Sequence, residues 1–294
     1  MSKLNKTITL ELLMKSELIQ QSVKEQIKEE TIKGGKYGID FLNKPFNIVS
    51  TQTIKTKKAQ KFNEVQAILY LSPANLVAVT TLCNGAKSSG CLKDCLYASG
   101  LLGFDSSQWA QVKRTIWYLL YPELFYKLVV KELTRLYKKH GDSLSVRLNG
   151  TSDVSWLIIR EAMPLLKFYD YTKDFKILKE ENKTYDVTFS ASAFRPSTIA
   201  RAKEALKQGH RLAVPVNSKD TKGEWQAKPL TDNLIVHDFD ASDLRRNDPK
   251  KIIGKLSRKR SSIAERKLLE HSTTPSFFFK EAQYLDLINY AKGL

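Results

Sequence analysis

All the cysteine in this chain lies in one stretch, Cys83-Asn-Gly-Ala-Lys-Ser-Ser-Gly-Cys91-Leu-Lys-Asp-Cys95, spaced C-x7-C-x3-C. Three thiolates converging on one point leave one position open on a tetrahedral metal or a four-iron cluster, and chemistry can happen at an open position. Three cysteines cannot all pair, so a disulfide framework would leave one thiol over. The chain begins Met-Ser-Lys-Leu-Asn-Lys and continues into a charged amphipathic stretch with no apolar leader segment. The expected compartment is therefore the reducing cytoplasm, where clustered cysteines read as metal-binding or catalytic. Unrelated buried thiols are the plainer alternative.

Such a site needs a fold to hold it. At 294 residues, with 42% hydrophobic and 10% aromatic content, the chain can bury a sizeable core. No apolar run is long enough to span a membrane. The net charge of +17 (48 Lys and Arg against 31 Asp and Glu) favours a polyanionic partner, nucleic acid above all. Ten basic residues against two acidic ones lie between Leu244 and Lys267. Among them Arg245, Arg246, Lys255, Arg258, Lys259 and Arg260 are the candidate nucleic-acid contacts; a solvated basic segment is the bland reading.

Apolar spacing predicts one long helix over residues 7–33, ended by Gly34-Gly35, as a surface or capping element. A short extended piece follows at 46–50, and a buried strand at 66–71 leads into the cysteine loop. A helical stretch over 106–139 is broken at Pro122, which suits the first turn of a second helix. Strands are expected at 143–148, 167–171, 185–190, 211–216, 233–237 and 251–256, with helices at 154–166 and 196–207. Alternation of this kind predicts an α/β fold, a full or partial parallel (β/α) barrel with an N-terminal helical extension. The expected division is an extension at 1–60, a barrel-like catalytic domain at 61–262, and a C-terminal tail or helix at 263–294 that packs on the barrel.

In parallel α/β folds, functional residues collect at the carboxyl ends of strands. Here those ends are polar: Ser72-Pro-Ala-Asn75, Arg147-Leu-Asn-Gly-Thr-Ser-Asp153, Tyr169-Asp-Tyr-Thr-Lys173, Thr188-Phe-Ser-Ala-Ser192 and His237-Asp-Phe-Asp240. Any one could be a turn or a helix cap, as Asp153 could be. Together they describe a cup of hydroxyls, amides and carboxylates with three thiols at its first corner. Asp153, Asp170, Lys173 and Asp238 are the candidate catalytic residues. Asn75, Asn149, Thr151, Ser152 and Ser190 are the candidate cofactor contacts, and Cys83, Cys91 and Cys95 the metal ligands.

Those strand ends and the cysteines, from about Leu71 to Lys259, resemble the gene-product-88 family of bacteriophage proteins. The resemblance implies a phage origin and a host cytoplasm. Ser88-Ser-Gly-Cys91-Leu-Lys-Asp-Cys95-Leu-Tyr97 is also similar to the cysteine loop of phage proteins placed near the radical S-adenosylmethionine enzymes, although the usual radical-enzyme spacing is tighter in both gaps. That second resemblance implies a 4Fe-4S cluster held by the three cysteines, with S-adenosylmethionine on its open iron, and chemistry on nucleic acid or nucleotide.

Two rival readings stand beside it. In the first, zinc is held by the cysteines and His237 or another histidine, in a barrel transglycosylase that exchanges a modified guanine into DNA; Asp153, Asp170 or Asp238 would be its nucleophile. In the second, the protein is a non-enzymatic nucleic-acid binder with a metal-stapled loop. The absence of a phosphate-cradling loop, an H-E-x-x-H pair and a Gly-x-Ser-x-Gly elbow argues against nucleotide hydrolysis, zinc proteolysis and serine hydrolysis.

Overall fold

The computed structural model describes residues 6–51, 63–92, 95–98, 100–216, 229–231, 234–240, 245, 248, 250–257 and 277–294, with only the backbone path for 98, 229–231, 234–238 and 281. Three helices open the chain: α1 (Leu10–Lys15), α2 (Gln21–Ile32) and α3 (Ile39–Asn43). Strands β1 (Val49–Ser50) and β2 (Val65–Leu69) follow, and then the cysteine loop. Helices α4 (Asp105–Leu120) and α5 (Pro122–His140) lead to β3 (Leu144–Arg147), α6 (Leu157–Ala162), β4 (Lys167–Thr172), α7 (Phe175–Leu178), β5 (Tyr185–Ser190), α8 (Pro196–Lys207) and β6 (Arg211–Val216). Beyond them lie β7 (Pro229–Thr231), β8 (Leu234–Asp238), β9 (Ile253–Ser257) and α9 (Glu281–Lys292).

The strands form one sheet in the order β1-β2-β3-β4-β5-β6-β9-β8-β7. From β2 to β8 in that order every pairing is parallel, which makes seven parallel strands; β1 and β7 are antiparallel additions at the edges. The fold is thus mixed α/β, as strand–helix alternation requires. Parallel register puts Val146 level with Phe168, and Phe189 with Leu212, and these side chains join one apolar core beneath the helices. The alternate positions, Gln66, Ser145, Arg147, Tyr169, Thr188 and Arg211, are polar and also buried. Side chains alternate faces along a strand, so the sheet has an apolar helix-facing side and a polar opposite side. Ala213, Phe239 and Ile252 form a second, smaller cluster, with Tyr171 and Leu256 packed against it.

The expected single helix at 7–33 is two helices. Residues between them run extended beside the approach to the cysteine loop: Ile19 bridges Ala78, Gln20 N donates to Val77 O, and Val79 N donates to Leu18 O. Nor is this segment a surface layer, because Ile8, Leu13, Ile19, Val23, Ile27 and Leu42 lie in the main core. Buried donors on α4 anchor it. Trp117 Nε1 donates to Leu42 O at 2.8 Å, and the Lys113 ammonium caps the end of α3 through Phe41 O and Lys44 O. Burial pushes the Lys113 pKa down to about 8. At the other terminus Tyr284, Leu287 and Ile288 of α9 enter the same core. Among the described residues, no helix is long and apolar enough to cross a membrane.

Glu181, in the turn between α7 and β5, makes an ionic cluster at the amino end of the sheet. Its carboxylate accepts from Val187 N at 3.1 Å, pairs with Lys250 and lies 3.4 Å from His210 Nδ1. Burial alone would raise its pKa, but these partners outweigh burial and hold it down to about 2, against an ordinary 4.5. A carboxylate depressed in the folded state stabilises the fold above its unfolded pKa and loses that contribution as pH falls through the folded value. Chemical denaturation of Glu181→Gln and wild type should therefore give a stability gap that is constant above pH 4.5 and closes toward pH 2. A gap independent of pH over that window would refute the assignment.

Candidate functional site

The cysteine loop leaves β2 and lies across the carboxyl ends of β3, β4 and β5. Cys83 is built into the sheet end: it forms a parallel bridge with Asp153, and Asp153 N donates to Leu82 O at 2.8 Å. Its sulfur accepts from Ala74 N at 3.2 Å and donates to Thr151 O at 3.5 Å. Beyond it the loop folds on itself, with Ser89 N donating to Gly85 O and Cys91 N to Ala86 O. Two left-handed glycines let it sit close to the strand ends. Gly85 (φ +83°) passes over Lys173, and Gly90 (φ +68°) lies against the ring of Phe194. Ser192 Oγ, just past β5, donates to Ser89 O at 2.7 Å and ties the loop down.

The strand end after β3 is organised by Asn149. Its Oδ1 accepts from Ser152 Oγ, Val154 N and Trp156 Nε1, each at 3.0 Å, while Nδ2 donates to Val154 O and Asp170 Oδ2. Thr151 Oγ1 donates to Leu71 O and to Gln111 Oε1. The hydrogen bonds made by the side chains of Asn149, Thr151 and Ser152, expected to face a cofactor, thus run to partners inside the protein. These residues hold the backbone that positions Cys83, and their side chains are buried. An Asn-x-Thr-Ser run after a strand suits either role, and only the partners separate the two.

Asp170 and Asp153 differ from each other. Asp170 is fully enclosed, accepts from Asn149 N at 3.0 Å and lies 3.9 Å from Arg147 Nε. Burial raises its pKa to about 7, opposed by Arg147 and Asn149. Asp153 accepts from Thr172 Oγ1 at 2.7 Å and Lys173 N at 3.1 Å, and burial lifts it to about 6. Lys173 turns the other way: its Nζ donates to Ser190 Oγ at 2.6 Å and stands over the Phe277 ring. Thr172, Ser192 and Phe194 were not expected in the site. Thr172 and Ser192 lay within the polar strand ends, but nothing in the sequence marked Phe194.

All three thiols are free and half-buried. Burial pushes Cys83 up to about 12 and Cys95 to about 11, and charge on neighbouring cysteines acts in the same direction. Three soft, half-buried sulfur donors suit zinc or an iron–sulfur cluster by donor chemistry. Among the described residues, however, no three His, Cys, Asp or Glu side chains converge closely enough to hold a metal, so the loop has to draw its thiols together to bind one. His140 ends α5 just before β3, and His210 leads into β6 beside Glu181, so both lie at the opposite end of the sheet.

Residues 47–271, which contain this loop and every strand end described above, match the family model of gene product 88. The chain belongs to the gene product 88 family. Comparisons with curated proteins and with solved structures found no match.

For this gene product 88 protein the basic block needs correction. Arg245 is buried, stacks over the Phe239 ring and pairs with Asp248 at 2.9 Å. Lys255, inside β9, is buried as well. Neither presents its charge to a polyanion on the surface: Arg245 is held inward by Phe239 and Asp248, and Lys255 lies on β9 between β6 and β8. Arg246, Arg258, Lys259 and Arg260 lie outside the described residues. Asp238 ends β8 opposite Lys255, with only its backbone described. Asn75 is exposed at the start of the loop.

Proposed function

We propose that this gene product 88 protein is an iron–sulfur enzyme resembling the radical S-adenosylmethionine proteins and acting on nucleic acid or nucleotide. The observation that carries the reading is the loop with three free thiols laid over the carboxyl ends of a parallel sheet, directly after its first parallel strand. The sequential order β2-β3-β4-β5-β6 supports it, since a partial (β/α) barrel would be wound in that order. Cys83, Cys91 and Cys95 would hold the cluster as thiolates. When bound, a four-iron cluster with one open iron supplies one-electron reduction of S-adenosylmethionine. The chain's own residues do the rest. Asn149, Thr151 and Ser152 fix the Cys83 backbone, the cysteine loop covers the strand ends, and Lys173 and Ser190 present a cation and a hydroxyl beside the thiols.

Anaerobic purification with iron, sulfide and zinc quantified tests the reading. About four irons and four sulfides per chain are expected, with visible absorption that bleaches on reduction. Cys83→Ser, Cys91→Ser and Cys95→Ser should each lose most of the iron. About one zinc with no iron would overturn the reading and bring forward base exchange or a stapled binding module.

A further inference from the structure

The rim around the cysteine loop carries a second pattern. Three cations each stand over an aromatic ring. Lys173 Nζ is 4.9 Å from the Phe277 centroid, the Arg195 guanidinium 5.0 Å from Phe194, and the Arg201 guanidinium 5.1 Å from Phe175. The pairs are linked to one another and to the loop. Arg201 donates to Lys173 O at 2.7 Å, Lys173 packs beside Gly85, and Phe194 packs beneath Gly90. Lys87 adds a fourth, exposed cation between those two glycines. The acids nearby are already engaged. Asp174 accepts from Lys176 N and Asn84 Nδ2, and Asp153 from Thr172 and Lys173 N. Arg195 and Arg201 are exposed, while the aromatic rings are half-buried.

We propose that this rim of Lys87, Lys173, Arg195 and Arg201, backed by Phe175, Phe194 and Phe277, is the binding surface for a single-stranded nucleic acid. The inference rests on the reading that the cysteine loop is the reactive centre, and it names the substrate class of that site. Phosphates take the cations, and unstacked bases take the flat guanidinium and ring surfaces, as in other single-strand binders. A strand held here passes over the thiols, where a base inside a duplex would be shielded by its stack. This places the polyanion contact on the rim and not on Arg245 and Lys255, which are buried.

The test is fluorescence anisotropy of a labelled single-stranded oligonucleotide with the full chain, repeated over a series of salt concentrations. Arg195→Ser with Arg201→Ser should weaken binding about tenfold and reduce the magnitude of the salt slope by about one to two. Lys138→Ser with Lys139→Ser, equal in charge and exposed at the end of α5, should change neither. Thermal melting of each variant should match wild type and so exclude a folding defect. Unchanged binding in the rim variant, equal loss in both variants, or no binding by wild type would each overturn the proposal. Iron and sulfide are measured on the same preparations. Iron without strand binding refutes the rim alone, and strand binding without iron refutes the cluster alone.

Discussion

Asn149→Ala is expected to lose about 3–5 kcal/mol of stability, the largest effect of any single side chain at the strand ends. The size follows from what is left behind. The Asn149 carboxamide is the acceptor for Trp156 Nε1, Val154 N and Ser152 Oγ, and it donates to Val154 O and Asp170. Trp156 is wholly enclosed, so its indole N–H cannot turn to water. Each buried donor left without a partner costs about 1–3 kcal/mol. Asn149→Asp should not rescue the fold: it keeps an acceptor for the tryptophan but sets a second carboxylate against Asp170, already raised to about 7 by burial. Urea denaturation at neutral pH measures both variants. A loss under about 1 kcal/mol in Asn149→Ala would mean that the turn is held by its backbone alone.

If the loop takes up the proposed cluster, Gly90→Ala is expected to abolish that uptake while leaving most of the fold intact. Gly90 has φ +68°, and a Cβ there would press into the ring of Phe194. The left-handed backbone costs about 1–2 kcal/mol for a residue with a side chain, and forced overpacking about 1–3 kcal/mol more. The strain falls on the loop one residue before Cys91 and can be relieved by lifting the loop off the strand ends. Gly100→Ala is the control: its φ is +58°, but nothing lies within 4 Å of an added Cβ. Only the backbone cost applies there, so Gly100→Ala should retain its metal. Metal content after reconstitution, read beside the melting temperature, separates the two. Full metal loading in Gly90→Ala would show that the loop binds without its seat on Phe194.

Much of the frame was legible because local pattern and tertiary role agree. β5, α8 and β6 are read from sequence at the boundaries the structure has, since alternating or continuous apolar runs bounded by Pro196 and Gly209 leave little choice. Pro122 marks the break between α4 and α5, because proline suits a first helical turn and removes a donor from a helix interior. The break at 16–20 was not legible. Its apolar spacing suits a continuous helix, and it is opened by backbone hydrogen bonds from Gln20 N to Val77 O and from Val79 N to Leu18 O, which tie it to residues across the fold. Tertiary pairing overrode local periodicity there.

The site divides in the same way. Residue types and spacing determined by themselves that three thiols lie together in a loop after a strand, and that the strand ends are polar. Which of those polar groups face outward was decided by the tertiary structure. Asn149, Thr151 and Ser152 turn inward because buried backbone and indole groups need partners. Lys173 and Ser190 turn toward each other at the mouth. Arg245 is buried because it packs over Phe239 and pairs with Asp248, and Lys255 because β9 lies inside the sheet. A sequence states which groups a chain carries, whereas their exposure depends on residues far along the chain, which only folding brings into contact.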